Sequence, residues 1–359
     1  MSDESIEGKN VRGTLSPAGP DDAAQVVDAG EAASCETPPQ ATHLRWLSNV
    51  RNARELGIFL AAATIFIVLA ILAPRFLNPS NLLNVAREIS MKGIIAVGMT
   101  YVFISGELDL SVGSQYGFFA AVVALMIQNW GMDPWIAMVL AVVLGAGVGL
   151  FNGLITTKFV IPSFIVTLGM LSILRGATLL LTNGWPINLM VESPMFNATG
   201  GYLFDVIPIQ ILWMGAIMIV AGWVLAKTKF GYHTYATGGN KLAARLSGIN
   251  TDKIKILCFM LISALTALTG AMYIGWLKVA SPLAGSGLEL DVIAAVIIGG
   301  ASLNGGSGTI LGTFLGALIM GMITNGLVLL GVSAYFEPVA KGSIIIGAVL
   351  LDNAIRRRT

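Results

Sequence analysis

Two carboxylates, Glu107 and Asp109, lie between apolar runs in the segment from Ser105 to Ser114. A charge at membrane depth costs about 2.5 kcal/mol or more, so such residues usually face a polar cavity. The neighbouring glycines and serines indicate a helix break, with Ser111 close to the start of the next helix. Two interpretations are equally supported. The segment is either part of a solute pathway or a helix start that Asp109 caps at a water-exposed edge.

A second motif is the basic segment GGNKLAARLSGI, from Gly238 to Ile249. Asn240 is a good N-cap and Gly248 marks the end of a short helix. Lys241 and Arg245 are four residues apart, while Leu242, Leu246 and Ile249 share one face. The pattern predicts a short helix that either docks in a groove of a partner protein or lies on lipid head groups.

The glycine-rich segment 299–309 (GGASLNGGSGT) resembles a phosphate-binding loop but lacks the Gly-Lys-Ser/Thr ending that such loops need. We therefore expect a tight turn between two membrane spans and no ATP site. His43 and His233 have no metal-ligand spacing, and no Ser/His/Asp set is evident. The sequence predicts no catalytic residue, no metal site and no cofactor bound by this chain.

Composition defines the elements that must hold these motifs. Charged residues make up 11% of the chain and apolar residues 55%, with a mean hydropathy of +0.79. Soluble domains carry about 25% charged residues, so the values exclude a soluble enzyme and a nucleic-acid binder. They predict an all-α polytopic membrane protein with about ten transmembrane helices, near 56–73, 90–105, 112–128, 135–155, 163–182, 208–226, 255–276, 290–300, 310–331 and 337–352.

Residues 1–45 differ from the rest of the chain. They are acidic and rich in Ser, Gly, Pro and Ala, which predicts a disordered tail, whereas residues 46–359 form the transmembrane domain. With ten spans, 15 of the 21 Lys and Arg residues fall on the side of the N-terminus. This bias predicts that both termini are cytoplasmic.

Short repeats suggest two halves of five spans each. Glu107-Leu-Asp109 recurs as Glu289-Leu-Asp291, and Asn152-Gly-Leu recurs at Asn325. An odd number of spans per half gives the halves opposite orientations, as in many transporters. Glu289 and Asp291 are expected in a loop outside the spans rather than in the pathway.

Four segments together carry a family resemblance: GELDLSVGS at 106–114; Phe151 to Ile155 with PSFIVTLG at 162–169; GGNKLAARLSGI at 238–249; and IGGASLNGGSGTILG at 298–312. The chain resembles the permease subunit of bacterial ATP-binding-cassette sugar importers of the ribose, xylose and galactose type. Glu107 departs from the family pattern, which has a small residue there. The resemblance implies a fold like that of vitamin-importer permeases and a location in the inner membrane.

The resemblance also implies partners and roles. These are two ATPase subunits that bind ATP and Mg²⁺, a second permease copy or paralogue, and a periplasmic solute-binding protein. Within the loop at about 227–255, the residues that match the family's coupling helix are Asn240, Lys241, Leu242, Ala243, Ala244, Arg245, Leu246 and Gly248. By analogy, the candidate pathway residues are Glu107, Asp109, Ser111 and Asn325.

Two other functions remain as alternatives. Glu107 and Asp109 at membrane depth are also compatible with a secondary transporter that has its own ion coupling. A structural or assembly protein of the membrane would explain the closely spaced glycines, but not the loop that matches a coupling helix.

Overall fold

Helices dominate this computed structural model, which describes residues 40–356. Within that range the α-helices are α1 (Gln40–Leu72), α2 (Pro79–Ile104), α3 (Val112–Gln128), α4 (Pro134–Lys158), α5 (Ser163–Thr182), α6 (Pro194–Gly200), α7 (Ile209–Lys227), α8 (Lys229–Gly239), α9 (Lys241–Leu246), α10 (Thr251–Leu277), α11 (Leu288–Ile298), α12 (Ile310–Leu329) and α13 (Glu337–Arg356). A 3₁₀ turn, Ala334–Phe336, precedes α13.

Four two-residue strands complete the structure: β1 (Ile187–Asn188), β2 (Tyr202–Leu203), β3 (Ile207–Pro208) and β4 (Val279–Ala280). β1 pairs antiparallel with β4, so that Ile187 lies opposite Ala280. β2 and β3 form a small antiparallel hairpin. The strands therefore only tie connecting segments together, and the fold is carried by helices.

The chain divides into two units, Met1–Leu47 and Ser48–Thr359. Only the residues from Gln40 onward are described in the first unit, and they are helical. The disordered tail predicted for residues 1–45 therefore lies almost wholly outside the described residues. The second unit contains the membrane helices discussed below.

Each of the ten predicted spans falls on a helix, and among the described residues six helices are long and apolar enough to cross a membrane. These are α1, α4, α5, α7, α10 and α12. The 11 residues of α11 rise only about 16 Å, roughly half of a bilayer core. The chain is thus an all-helical polytopic membrane protein, while ten spans and the inverted repeat remain predictions.

The long helix α10 packs against α2, α3 and α4. Gly145, Gly149 and Gly153 on α4 face α10, and a Cβ atom on Gly149 would overlap the carbonyl of Phe259. Small residues at four-residue spacing allow this close approach in a lipid environment. Close packing of α4 against α10 therefore accounts for these glycines.

Two helical segments are interrupted close to functional motifs. The chain leaves α2 at Ile104 and enters α3 at Val112, with Gly106 at a φ of +79°, which confirms the predicted break. The segment 299–309 links α11 to α12, as the predicted turn required. Non-helical backbone at membrane depth is tolerated only where protein buries it or where it lines a cavity.

Candidate coupling and translocation site

Helix α9 has the local structure that its sequence predicted. The side-chain oxygen of Asn240 accepts a hydrogen bond from the Ala243 N–H at 2.9 Å. Gly248 follows the helix at a φ of +82°, a backbone conformation that residues other than glycine rarely adopt. The N-cap and the stop that we read from Asn240 and Gly248 are therefore confirmed, and they delimit a helix of six residues.

The two leucines of α9 project from the protein. Leu242 is 69% exposed and Leu246 82% exposed, whereas Ala244 is buried. Arg245 turns back towards the base of α10, where it forms an ion pair with Asp252 at 2.6 Å and a hydrogen bond to the Thr251 hydroxyl at 2.9 Å. The helix is thus anchored by its basic side chain and presents an apolar tip.

The end of α8 lies against both interrupted segments. We call the contact of Gly238 and Gly306 with Ile104 the glycine junction. A Cβ atom on Gly238 would overlap the carbonyl of Ile104, at the end of α2. The Gly306 N–H donates a hydrogen bond to that same carbonyl at 2.9 Å. The hydroxyl of Tyr235, on α8, donates to the Gly308 carbonyl at 2.6 Å. The end of α8 therefore packs against both the end of α2 and the segment that links α11 to α12.

Asp109 and Ser111 belong to one buried polar network. The Asp109 carboxylate accepts hydrogen bonds from the Ser111 N–H at 2.8 Å and from its hydroxyl at 2.5 Å. The Ser111 hydroxyl in turn accepts from the Gln115 amide at 2.7 Å and from the Asn152 amide at 3.3 Å. Asp109 is completely buried. Its bonds to Ser111 order the turn before α3, but no side-chain hydrogen bond caps that helix, and the water-exposed edge expected in one of our interpretations is wrong.

Glu107 has a partner that the sequence did not reveal. Its carboxylate forms an ion pair with Lys255, near the start of α10, and the two side chains are only 12% and 10% exposed. The two residues are 148 positions apart in the chain. This ion pair connects the break between α2 and α3 to the first turns of α10. The same turns of α10 contain Asp252, the partner of Arg245 in α9.

Asn325 lies in a different place from the other pathway candidates. Its side chain exchanges hydrogen bonds with that of Asn81, at 3.1 and 2.9 Å. It therefore joins the first turns of α2 to the last turns of α12. The structure brings Asp109 and Ser111 together, pairs Glu107 with Lys255, and places Asn325 with Asn81.

A chain of alternating charges links α2, α11 and α13. Lys92 contacts Glu88 at 2.6 Å and Asp291 at 2.8 Å, and Lys341 contacts Asp291 and Glu337, each at 2.6 Å. Asp291 is buried within α11, so the loop position expected for it is wrong. Sequence reasoning missed the two lysines, although Glu88 with Lys92 and Glu337 with Lys341 have the i, i+4 spacing of helical ion pairs.

This ion-pair chain lines a cavity of about 290 Å³, which we call the charged cavity. The lining of the cavity also includes Tyr116, Tyr273 and Trp276. The rings of Tyr116 and Tyr273 lie 5.3 Å apart. Cavities that combine aromatic surface with a few charged groups are typical of small-molecule sites, so this cavity is a further candidate for the solute route.

Comparison with known proteins decides the class. Residues 81–351 match the family described as the permease component of branched-chain amino acid transport systems. The chain belongs to this permease family. A ribose import permease protein of Bacillus subtilis is 44% identical over 83% of this permease and 92% of its own length. The ribose import permease protein of Escherichia coli K12 is 40% identical over 86% of this permease and 94% of its own length.

Two further relatives cover a similar share of the permease. A probable ABC transporter permease of Escherichia coli K12 is 38% identical over 86% of this chain and 92% of its own. An autoinducer 2 import system permease of Photorhabdus laumondii is 34% identical over 86% and 92%. No solved structure gives a significant match. The chain is a transporter component of the ATP-binding-cassette class rather than an enzyme.

Proposed function

We propose that this permease imports a sugar or a sugar-like solute across the bacterial inner membrane. Relatives named as ribose and autoinducer 2 import permeases support this solute class. In the proposed importer, a periplasmic binding protein delivers the solute. Two separate ATPase subunits bind ATP and Mg²⁺, and a second permease copy or paralogue completes the pathway. Both termini are cytoplasmic, as the distribution of Lys and Arg favours.

The exposed apolar tip of α9 is the main observation in favour of docking by an ATPase subunit. Leu242 and Leu246 present a small apolar surface on an otherwise polar loop. Short helices with such a face bind in grooves of partner proteins. The proposed occupant is the ATPase subunit, because the loop lies on the cytoplasmic side in the proposed orientation. The contact between Arg245 and Asp252 fixes the helix so that a push on its tip reaches α10.

The glycine junction supplies the route from the ATPase to the pathway. Closure of the ATPase subunits on ATP displaces α9, and α8 moves with it. Because Gly238 lies against the Ile104 carbonyl and Gly306 is hydrogen-bonded to it, the ends of α2 and α11 follow. The permease then alternates between inward-facing and outward-facing states, whose populations nucleotide binding shifts.

The Leu246→Asp substitution tests this proposal in the assembled importer. A charge at the apolar tip is expected to abolish both co-purification with the ATPase subunit and sugar uptake into proteoliposomes. Leu246→Met, which keeps an apolar tip, serves as the matched control and is expected to retain both. Normal ATP-driven uptake by the Leu246→Asp variant would refute the docking role of α9.

A protonophore separates the proposal from an ion-coupled secondary transporter. At constant ATP, uptake through an ATP-binding-cassette importer is expected to continue after the proton gradient collapses. Uptake that stops under these conditions would refute the proposed energy source.

A further inference from the structure

The charged cavity has the size and the mixed lining of a small-molecule site. Its volume of about 290 Å³ is near the lower end of ligand cavities, which span roughly 300–1,000 Å³. Its lining combines aromatic side chains with charged ones. Such sites use apolar surface for contact area and a few polar groups for orientation.

The charged part of the lining retains hydrogen-bonding capacity. A lysine ammonium group has three N–H donors. Lys92 makes close contacts with Glu88 and Asp291, and Lys341 with Asp291 and Glu337, so these carboxylates engage at most two donors of each ammonium group. Each ammonium group therefore has one N–H without a partner among the described residues. Hydroxyl oxygens of a solute are suitable acceptors for these donors.

The charge balance of the lining selects the chemistry of the ligand. Three carboxylates (Glu88, Asp291 and Glu337) and two ammonium groups (Lys92 and Lys341) line the cavity, for a formal charge of −1. A phosphorylated or carboxylated solute would be repelled at low dielectric. A neutral ring with many hydroxyls would bond to the charged side chains and place its C–H faces on the aromatic ones.

We propose that the charged cavity is a binding site of the permease itself, which holds a neutral polyhydroxylated ring by contacts with Trp276 and Tyr273 and by hydrogen bonds to Lys92 and Lys341. The inference rests on the proposed sugar import and adds the site to it. The solute pauses here after leaving the binding protein. The Asp109 network and the pair of Asn325 with Asn81 take no part in this site.

Substitution of Trp276 tests the site in the reconstituted importer with radiolabelled ribose. Trp276→Ala removes an aromatic contact to the ring, as well as a cation–π contact with the buried Arg87, and is expected to reduce uptake roughly tenfold, equivalent to about 1.4 kcal/mol. Trp276→Phe is expected to retain most uptake. Trp185→Ala, which removes a tryptophan that is 75% exposed, is the matched control and is expected to leave uptake unchanged.

Two further measurements separate a binding role from a folding defect. The Trp276→Ala importer is expected to elute normally on size exclusion and to keep its ATPase stimulation by the binding protein, because α9 is unaltered. Ser286→Cys, at the cavity wall, is expected to react more slowly with a methanethiosulfonate reagent when ribose is being transported. Val206→Cys, on an exposed residue outside the cavity, is expected to react at the same rate with and without ribose.

The outcomes distinguish the site from the function. The binding site alone would be overturned if the wild-type importer takes up ribose and the Trp276→Ala variant takes it up at the same rate. It would also be overturned if ribose does not slow the reaction of Ser286→Cys with the reagent. A Trp276→Ala variant that loses ATPase stimulation together with uptake would also overturn it, since the defect would then be global. A wild-type importer that takes up no ribose would overturn the proposed function.

Discussion

The ion pair between Glu107 and Lys255 allows the most quantitative prediction. Exposed pairs contribute about 0–1 kcal/mol, whereas loss of one partner of a buried pair costs about 3–5 kcal/mol, because a charge is left without compensation. Both side chains are about nine-tenths buried. Lys255→Met and Glu107→Gln are therefore each expected to lower the free energy of unfolding by about 3 kcal/mol.

The free energy of unfolding of the double variant, Glu107→Gln with Lys255→Met, decides whether the two residues act as a pair. Independent effects would sum to about 6 kcal/mol, but Glu107→Gln with Lys255→Met leaves no orphaned charge. Replacement of both partners of a buried pair is often nearly neutral, so we expect the double variant to lie within about 1 kcal/mol of the wild type. The measurement is SDS-induced unfolding of the purified permease in mixed micelles, followed by tryptophan fluorescence.

An exposed pair provides the control for this cycle. Lys278 contacts Glu192 at 2.6 Å, and their side chains are 38% and 82% exposed. Lys278→Met is therefore expected to change stability by less than about 1 kcal/mol. If the double variant of Glu107 and Lys255 is as unstable as the sum of its single variants, the two residues do not act as a pair and the reasoning fails.

Three other predictions concern the junction, the helix cap and the asparagine pair. Gly238→Ala places a methyl group against the Ile104 carbonyl and is expected to reduce ribose uptake at least tenfold while the ATPase subunit still co-purifies; unchanged uptake would argue against the junction as a transmission route. Asn240→Ala removes the cap of α9 at a cost of about 1 kcal/mol and should weaken ATPase co-purification, which Asn240→Asp should preserve; equal binding by both variants would contradict this. Asn325→Ala leaves the Asn81 side chain without that partner and is expected to cost about 1–2 kcal/mol in the SDS assay, with uptake per folded transporter nearly unchanged; a selective loss of uptake would instead place Asn325 in the pathway.

The sequence predicted those features whose physical cause is local. The cap at Asn240 and the stop at Gly248 depend on a few neighbouring residues. The break after Ile104 follows from Gly106 and the carboxylates beside it. Helix positions follow from apolar runs of sufficient length, so every predicted span falls on a helix.

Features that depend on distant partners were beyond the sequence. Lys255 is 148 residues from Glu107, and no local pattern relates the two. Asn325 was a pathway candidate, yet its side chain is paired with that of Asn81. For Asp291 a position in an outside loop was favoured over a place in the pathway. Its burial depends on lysines from α2 and α13, which only the folded chain brings to it.

The chain of alternating charges also sets an order of events during biosynthesis. Lys92 emerges from the ribosome with only Glu88, one helical turn away, to reduce the cost of its insertion. Its second partner, Asp291, is made 199 residues later (291 − 92), about 10–40 s at roughly 5–20 residues per second. Lys341 follows later still. Lys92 therefore waits for its second carboxylate until most of the chain has been made, and Asp291 in turn waits for Lys341 in the last helix.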